Sequence, residues 1–545
     1  MKQLNNPILP GFYPDPSICR VGDDFYMITS SFSLFPGVPI FHSTDLANWE
    51  QIGHILDRKS QLHTNADFLT AGIMAPTLRY NNGTFYMITT NVSDKWNFIV
   101  TATDPRGPWS DPYWIQDCPG IDASLFFDDD GTAYITGTGS SKDIDEESTQ
   151  EERVIWISKI ELDNMQLIGD KRILWGGALK KCASPESPHL YKKDGYYYLV
   201  IAEGGTEHYH AVTIARSKDI FDEYEGYVGN PILTHRHMGK NYPICNVGHA
   251  DFVELQNGEW YAVMLGSRLI EGYYKNLGRE TFIAPIVWED GFPVISPGTG
   301  KIEWTYPAPD LPSTTTKTTQ VRDDFDGENL EMDWVFIGTP YEDFYSVSDS
   351  KLTMKLLPRS ISPTLKKIDM STRFVDKNVP SLGFVGRRQQ HINFEISVRM
   401  SFDALTDNET AGLVIMQASN HQLRLERSME NEKQILRLIQ CTSELSGYPH
   451  QPHFKGVTSE IKLAKVPITC KDIILSVVAD GQAYSFFYGM PDKSLSVLSE
   501  NVDARKINPE IVGGMVGTML GMFASSNGKE SENTVEFEWF DYKGK

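Results

Sequence analysis

Three carboxylates and one imidazole stand at corresponding places in a repeating sequence, and their types suit acid–base work. Aspartate 15, Asp122, Glu186 and His249 each precede the tyrosine of a short aromatic motif by eleven or twelve residues, and Met74 fills the same place in the remaining copy. A single acid near a turn is most often solvated or capping. Charged groups gathered in one confined cavity cost free energy unless they are paired, ligated or used, so a shared register makes the set a candidate site. Cleavage of a glycosidic bond needs such a set. One carboxylic acid protonates the leaving oxygen while a second carboxylate activates water or attacks the sugar. A third acid beside the first supplies a means of keeping it protonated, since like charges disfavour double ionisation.

The motif that places these residues recurs five times in the first 300 residues. Its tyrosines are Tyr26, Tyr86, Tyr134, Tyr198 and Tyr261, spaced 48 to 64 residues apart. Each follows a turn signal: Gly22-Asp23, Asn82-Gly83, Asp130-Gly131, Asp194-Gly195 or Asn257-Gly258. Asparagine-glycine and aspartate-glycine between apolar runs predict tight hairpins, because both central residues of a type I′ turn need positive φ. A second echo runs from Asp45 to Trp49, from Asp104 to Trp109 and from Asp219 to Tyr224. Helical periodicity is scarce. Five all-β units of this size predict a five-bladed β-propeller, one sheet per blade around a channel. If each inner strand begins at the equivalent place, Asp15, Met74, Asp122, Glu186 and His249 form one ring.

Other chemistries lack their residues. There is no Asp-Thr-Gly or Asp-Ser-Gly pair, no G-x-S-x-G elbow, no H-E-x-x-H helix and no P-loop. An Asn-Asp-Pro-Asn segment, expected near Asp15 in a retaining fructosidase, is missing. The net charge of −22 disfavours nucleic acid and anionic membranes. Six scattered cysteines show neither zinc-ligand nor disulfide spacing. With no apolar run of signal or membrane-spanning length, the expected location is cytoplasmic.

The second half changes character. Leu311-Pro312-Ser313 followed by a threonine-rich run reads as a linker within 308–320. Alternating patterns such as Phe394–Met400 and Val535–Phe540 then predict a β-sandwich over 321–545, after a propeller over 1–307.

The opening Asn6–Ile18 with its Tyr13-Pro14-Asp15-Pro16-Ser17 core resembles the start of glycoside hydrolase family 43. So do Phe35–Val38, Asp122–Gly131, Pro185–Tyr191, Ala202–Thr206 and Leu277–Thr281. The resemblance spans the chain and is greatest to the β-xylosidase/α-L-arabinofuranosidase branch. It implies an exo-acting, inverting hydrolase releasing terminal β-D-xylose or α-L-arabinofuranose from hemicellulose oligosaccharides, with Asp15 as base, Glu186 as acid and Asp122 tuning the acid. It further implies that Phe32 lines the sugar pocket and that Arg279 binds sugar hydroxyls. His249 resembles a histidine that in some members holds a calcium ion at the propeller centre; the alternative is a neutral imidazole bonded through water. The C-terminal part is expected to be a lectin-like jelly roll whose loop around Met519 closes one end of the channel, in a chain that is monomeric or homo-oligomeric. Met74 stands where relatives often carry Trp, Ser187 where a Gly often follows the acid, and Met519 where some relatives offer Phe. The competing reading is a carbohydrate-binding propeller without catalysis.

Overall fold

The computed structural model describes residues 2–66, 69–145, 148, 151–179, 184–314, 321–362, 379–443, 458–513 and 515–545. Most of the threonine-rich part of the expected linker, 315–320, lies outside them.

Five antiparallel sheets follow one another along the first 295 residues, and each is wound in simple sequence order. Their first strands are Ser17–Val21, Ile73–Asn81, Ile121–Phe127, Glu186–Lys193 and Ile244–Glu254. Each of these packs against the first strand of the next sheet, and the last packs against the first, so the ring closes around an axis. This is the propeller. The repeat tyrosines lie on the second strands, each after a hairpin, but only two of the five turns take positive φ at both central residues. At Gly22-Asp23, Asp130-Gly131 and Asn257-Gly258 the glycine alone does, and the Asp130-Gly131 and Asn257-Gly258 hairpins span 128–132 and 255–259. Asn82 and Gly83 have φ of 47° and 85°, and Asp194 and Gly195 have 49° and 77°, the positive values that a type I′ turn requires. The second echo is the turn after the third strand, where the Asp45, Asp104 and Asp219 carboxylates accept from backbone amides two residues on.

The second half forms two facing sheets. One runs from Tyr345–Ser348 through Thr534–Gly544, Phe394–Ser401 and Asp472–Asp480 to Ser496–Asp503; the other contains Phe384–Arg388, Met519–Ser525, Thr410–Ala418, His421–Glu430, Lys433–Ser443 and Thr458–Pro467. Phe394–Ser401 alternates buried and half-buried without a break, as its sequence predicts. The Val535–Phe540 alternation slips at Glu538-Trp539, where the pairing shifts register opposite Arg399-Met400, and Phe540 turns inward again.

The two halves share one interface. Leu34–Phe35 pairs with Phe336–Ile337 across them, Arg388 Nε donates to the Phe12 carbonyl at 2.8 Å, and a single apolar core runs from the first two sheets into the sandwich. Met519, expected at the channel end, is 3% exposed in a second, smaller apolar cluster between the halves, with Leu34, Ile337, Phe384 and Met416. Its strand faces the packing between domains, so it is residues 515–518, just before it, that approach the site. Among the described residues no helix is long and apolar enough to cross a membrane.

Candidate active site

The beginning of every inner strand departs from regular pairing. Register shifts interrupt the strands between Met74 and Thr77, Ile121 and Ser124, Glu186 and His189, and Gly248 and Asp251. Within these bulges, and at the corresponding point of the first sheet, one residue takes positive φ: Asp15 at 55°, Ala75 at 35°, Asp122 at 56°, Ser187 at 54° and His249 at 53°. The first regular pairs beyond the bulge align Ser17, Thr77, Ser124, His189 and Asp251. Two residues back from each lies the positive-φ residue. The true ring is therefore Asp15, Ala75, Asp122, Ser187 and His249. Met74 and Glu186, the residues that counting from the tyrosine selects, stand one residue before the ring positions Ala75 and Ser187. In a flat strand a slip of one residue would turn a side chain to the other face; here the bulge re-aims the strand and leaves Glu186 beside Arg153 and electrostatically tied to Asp122 and Asp15. Positive φ in non-glycine residues is costly and gathers at functional sites.

Asp15 is 4% exposed and paired. Arg279 Nη1 donates to its Oδ1 at 2.6 Å and to Thr206 Oγ1 at 2.9 Å. His249 Nδ1 stands 3.8 Å from the same carboxylate oxygen. Burial by itself pushes the Asp15 carboxyl upward, but Arg279, His249, the Ser30 hydroxyl and His210 together hold it below the ordinary aspartate range. The arginine and the aspartate lie on adjacent segments: the Tyr13 amide donates to the Arg279 carbonyl, the Gly11 amide to Glu280 Oε1 at 2.7 Å, and Thr281 Oγ1 to the Tyr13 carbonyl at 2.6 Å. Glu280 is fully buried and held in two bonds by Arg268. The Leu277–Thr281 motif thus anchors the segment that leads into Asp15 and, through Arg279, Asp15 itself.

Asp122 and Glu186 behave in the opposite way. Burial, then the Glu186 and Asp15 charges, push Asp122 well above the usual carboxylate range. Burial raises Glu186 as well; Arg153, whose Nη2 lies 3.4 Å from Glu186 Oε1, opposes this and Asp15 adds to it. The two acids act on each other, so they hold a proton as a pair. One ionised carboxylate facing a pair that keeps a proton is the division of labour that glycosidic cleavage demands.

Phe32, at φ 49°, is 1% exposed, stacked on Phe12 at 5.7 Å with its ring 5.6 Å from the Arg279 guanidinium. It forms a rigid wall beside that arginine. Met74 packs with Trp96 and Ile121 against Ala71 and Val92, on the stretch leading into Asp122.

A second layer lies two residues deeper. Arg79 Nη1 and Nη2 donate to the two Asp251 oxygens at 2.9 and 3.1 Å, Nη2 meets His189 Nδ1 at 3.0 Å, and Tyr191 and Ser17 also donate to Asp251. This cluster plugs the channel beneath the ring. It bears on the expected calcium. Calcium takes six to eight oxygens, yet the carboxylate beneath His249 is committed to Arg79, Tyr191 and Ser17. Among the described residues no three His, Cys, Asp or Glu side chains gather as a metal group. Burial lowers the His249 pKa, and the Asp15 charge opposes this. The donor set does not fit a calcium cage built from protein oxygens.

Arg153, Thr206, Ser30, His210 and the Arg79–Asp251 plug carry no sequence signal of their own. Thr206 fell within a motif, as did Ser17, His189 and Tyr191 of the plug. Ser30 follows the second strand of the first sheet, and Arg153, on the third strand of the Asp122 sheet, reaches Glu186 on the next sheet because the sheets pack into a ring.

A propeller that gathers three carboxylates, one shifted below the ordinary range and two above it, has the residues that a glycoside hydrolase needs. The sequence model of glycosyl hydrolases family 43 matches residues 4–293, and that of the beta xylosidase C-terminal concanavalin A-like domain matches residues 322–543. The chain belongs to glycosyl hydrolase family 43. It is 44% identical over 542 residues to a xylosidase/arabinosidase of Butyrivibrio fibrisolvens, covering 98% of each chain. It is 36% identical to a non-reducing end alpha-L-arabinofuranosidase of Bacteroides ovatus, over 99% of this chain and 95% of that one. A solved xylan beta-1,4-xylosidase from Bacillus halodurans superposes with TM-score 0.87 at 31% identity, covering 99% of this chain and 100% of the other.

Proposed function

We propose that this enzyme removes terminal β-D-xylose or α-L-arabinofuranose from hemicellulose oligosaccharides by a single displacement with inversion. The observation that carries the mechanism is the contrast between Asp15, held ionised by Arg279, and the Asp122–Glu186 pair, which keeps a proton. Water attacks the anomeric carbon as the glycosidic C–O bond breaks. Asp15 takes the water proton, and Glu186 gives its proton to the leaving oxygen. Asp122 keeps the acid charged with its proton, and Arg279 orients the base. The Arg279 Nε and Nη2 atoms, buried without a protein partner among the described residues, are placed to bond sugar hydroxyls. The Phe12–Phe32 wall and the nearby sandwich favour a pocket over an open cleft, which suits exo attack.

The test is hydrolysis of p-nitrophenyl β-D-xylopyranoside and p-nitrophenyl α-L-arabinofuranoside by wild type, Asp15→Ala and Glu186→Ala, with proton NMR of the first-formed sugar anomer. Loss of turnover in both variants and an inverted anomer are expected. Wild-type turnover in either variant would refute the assignment, and a retained anomer would refute the single displacement.

A further inference from the structure

Arg279 lies at the end of the loop that joins Trp260–Arg268 to Glu280–Glu289, and the sandwich holds this loop at four points. The Asn276 carbonyl accepts from Gln417 Nε2 at 2.7 Å, from the Thr518 amide at 2.9 Å and from Thr518 Oγ1 at 2.7 Å. The Asn276 side-chain oxygen accepts from Gln482 Nε2 at 2.8 Å. The Lys275 ammonium is 6% exposed and pairs with Glu510, which also accepts from the Lys275 amide at 3.1 Å. Gly278 has φ of 74°, and a Cβ there would stand 2.6 Å from the Val516 carbonyl oxygen. Every one of these partners belongs to the C-terminal half, and none of them touches Asp15, Asp122 or Glu186.

The grip has little slack. The cavity left between Thr206, Asn246, Arg279, Glu510 and Val516 is about 20 Å³, room for about one water. Asn276 is 1% exposed, and its carbonyl has three donors where one would satisfy it. A surface loop of eleven residues would ordinarily be mobile. This one delivers, three residues after Asn276, the guanidinium that bonds the base at 2.6 Å.

We propose that the C-terminal sandwich is a positioning element of the active site: by gripping Lys275–Gly278 it sets Arg279, and through Arg279 it sets the charge and orientation of Asp15. This rests on the reading of Asp15 as base. The groups facing Asp15 are Arg279, His249 and His210 on the cationic or imidazole side, Asp122 and Glu186 on the acidic side, and the Ser30 hydroxyl. Of these only Arg279 is both a permanent charge and directly bonded. If it recedes, Asp15 binds its proton at higher pH, and the acidic limb of the kcat/KM profile moves upward.

The experiment compares full-length wild type with Gln417→Leu/Thr518→Val, Glu510→Gln, the conservative Thr518→Ser, and Leu438→Ala, which opens a cavity in the sandwich core away from the loop. Both p-nitrophenyl pentosides are assayed across pH. The double variant is expected to lose about 10- to 100-fold in kcat/KM, the scale of a misplacement of an ångström or less, with its acidic limb displaced to higher pH. Thr518→Ser retains the hydroxyl and keeps wild-type values. Leu438→Ala lowers the unfolding temperature and moves neither kinetic quantity. A folded double variant with wild-type kcat/KM and an unmoved acidic limb would overturn the proposal. Should the double variant not fold, Glu510→Gln answers the same question under the same criteria. A wild type unable to cleave either pentoside would overturn the functional reading instead; carbon NMR titration of labelled aspartates then reads the grip without turnover, as an upward Asp15 shift or its absence.

Discussion

Replacing Arg279 with alanine isolates the electrostatics of the base. The arginine side chain is 8% exposed and Asp15's is 6%, so water screens the pair little. Removing one partner of a buried charge pair costs about 3–5 kcal/mol, because the remaining charge stays buried without compensation. Asp15 can avoid part of that cost by protonating, which disables it as a base. Taking 3–4 kcal/mol at about 1.4 kcal/mol per decade predicts a fall in kcat/KM of about 10²- to 10³-fold. The pH dependence follows in sign. Asp15 works when ionised, and Arg279 helps hold its pKa below the usual value, so Arg279→Ala raises it and the acidic limb moves to higher pH. Initial rates on p-nitrophenyl β-D-xylopyranoside from about pH 4 to about pH 9 measure both effects. A folded Arg279→Ala enzyme within about threefold of wild type, with its acidic limb in place, would refute the claim that this ion pair holds the base ionised.

Arg153→Met withdraws the cation that draws Glu186 down, so the alkaline limb, where the acid loses its proton, moves to higher pH in the same assay; an unmoved limb would mean that the contact has no hold on the acid. Dialysis against a chelator and then against calcium should leave activity unchanged, given the donors around His249; activity regained only with calcium would contradict the fit drawn from them. Arg79→Leu strands the Asp251 carboxylate and should cost about 3–5 kcal/mol in urea unfolding at neutral pH. Arg79 and its neighbours hold the Asp251 pKa far below that of an unfolded aspartate, so their stabilisation is complete above the ordinary range and is lost as pH falls through the native value. A variant as stable as wild type at neutral pH would show that the plug contributes nothing.

The sequence alone determined what is local. Hairpin turns declare themselves because Asn-Gly and Asp-Gly are the residues that tolerate positive φ, and Asn82-Gly83 and Asp194-Gly195 adopt it. Five copies of one turn and strand imply five like sheets, and the acids that precede them imply a common locus. Counting back from the tyrosines could not see that the hairpins differ in length. The turns at 22–23, 82–83 and 194–195 hold two residues, whereas 128–132 and 255–259 lie between the closing pairs of the third and fifth sheets. Met74 and Glu186, counted at the spacing of the longer hairpins, therefore fell one place out of register, and Ala75 and Ser187 proved to be the true equivalents of Asp15. Met519 likewise lay in the right neighbourhood and on the wrong face. The tertiary structure decided which charges meet. Arg279 is 264 residues from Asp15, Arg79 is 172 from Asp251, and Gln417 is 141 from Asn276. Such pairs leave no periodicity because ring closure and domain packing, not chain neighbours, bring them together. The same long-range pairing holds one carboxylate ionised and leaves two others to share a proton. Three acids in a row of motifs suggest glycosidic chemistry, and their partners across the fold are what support reading Asp15 as the proposed base and Glu186 as the proposed acid.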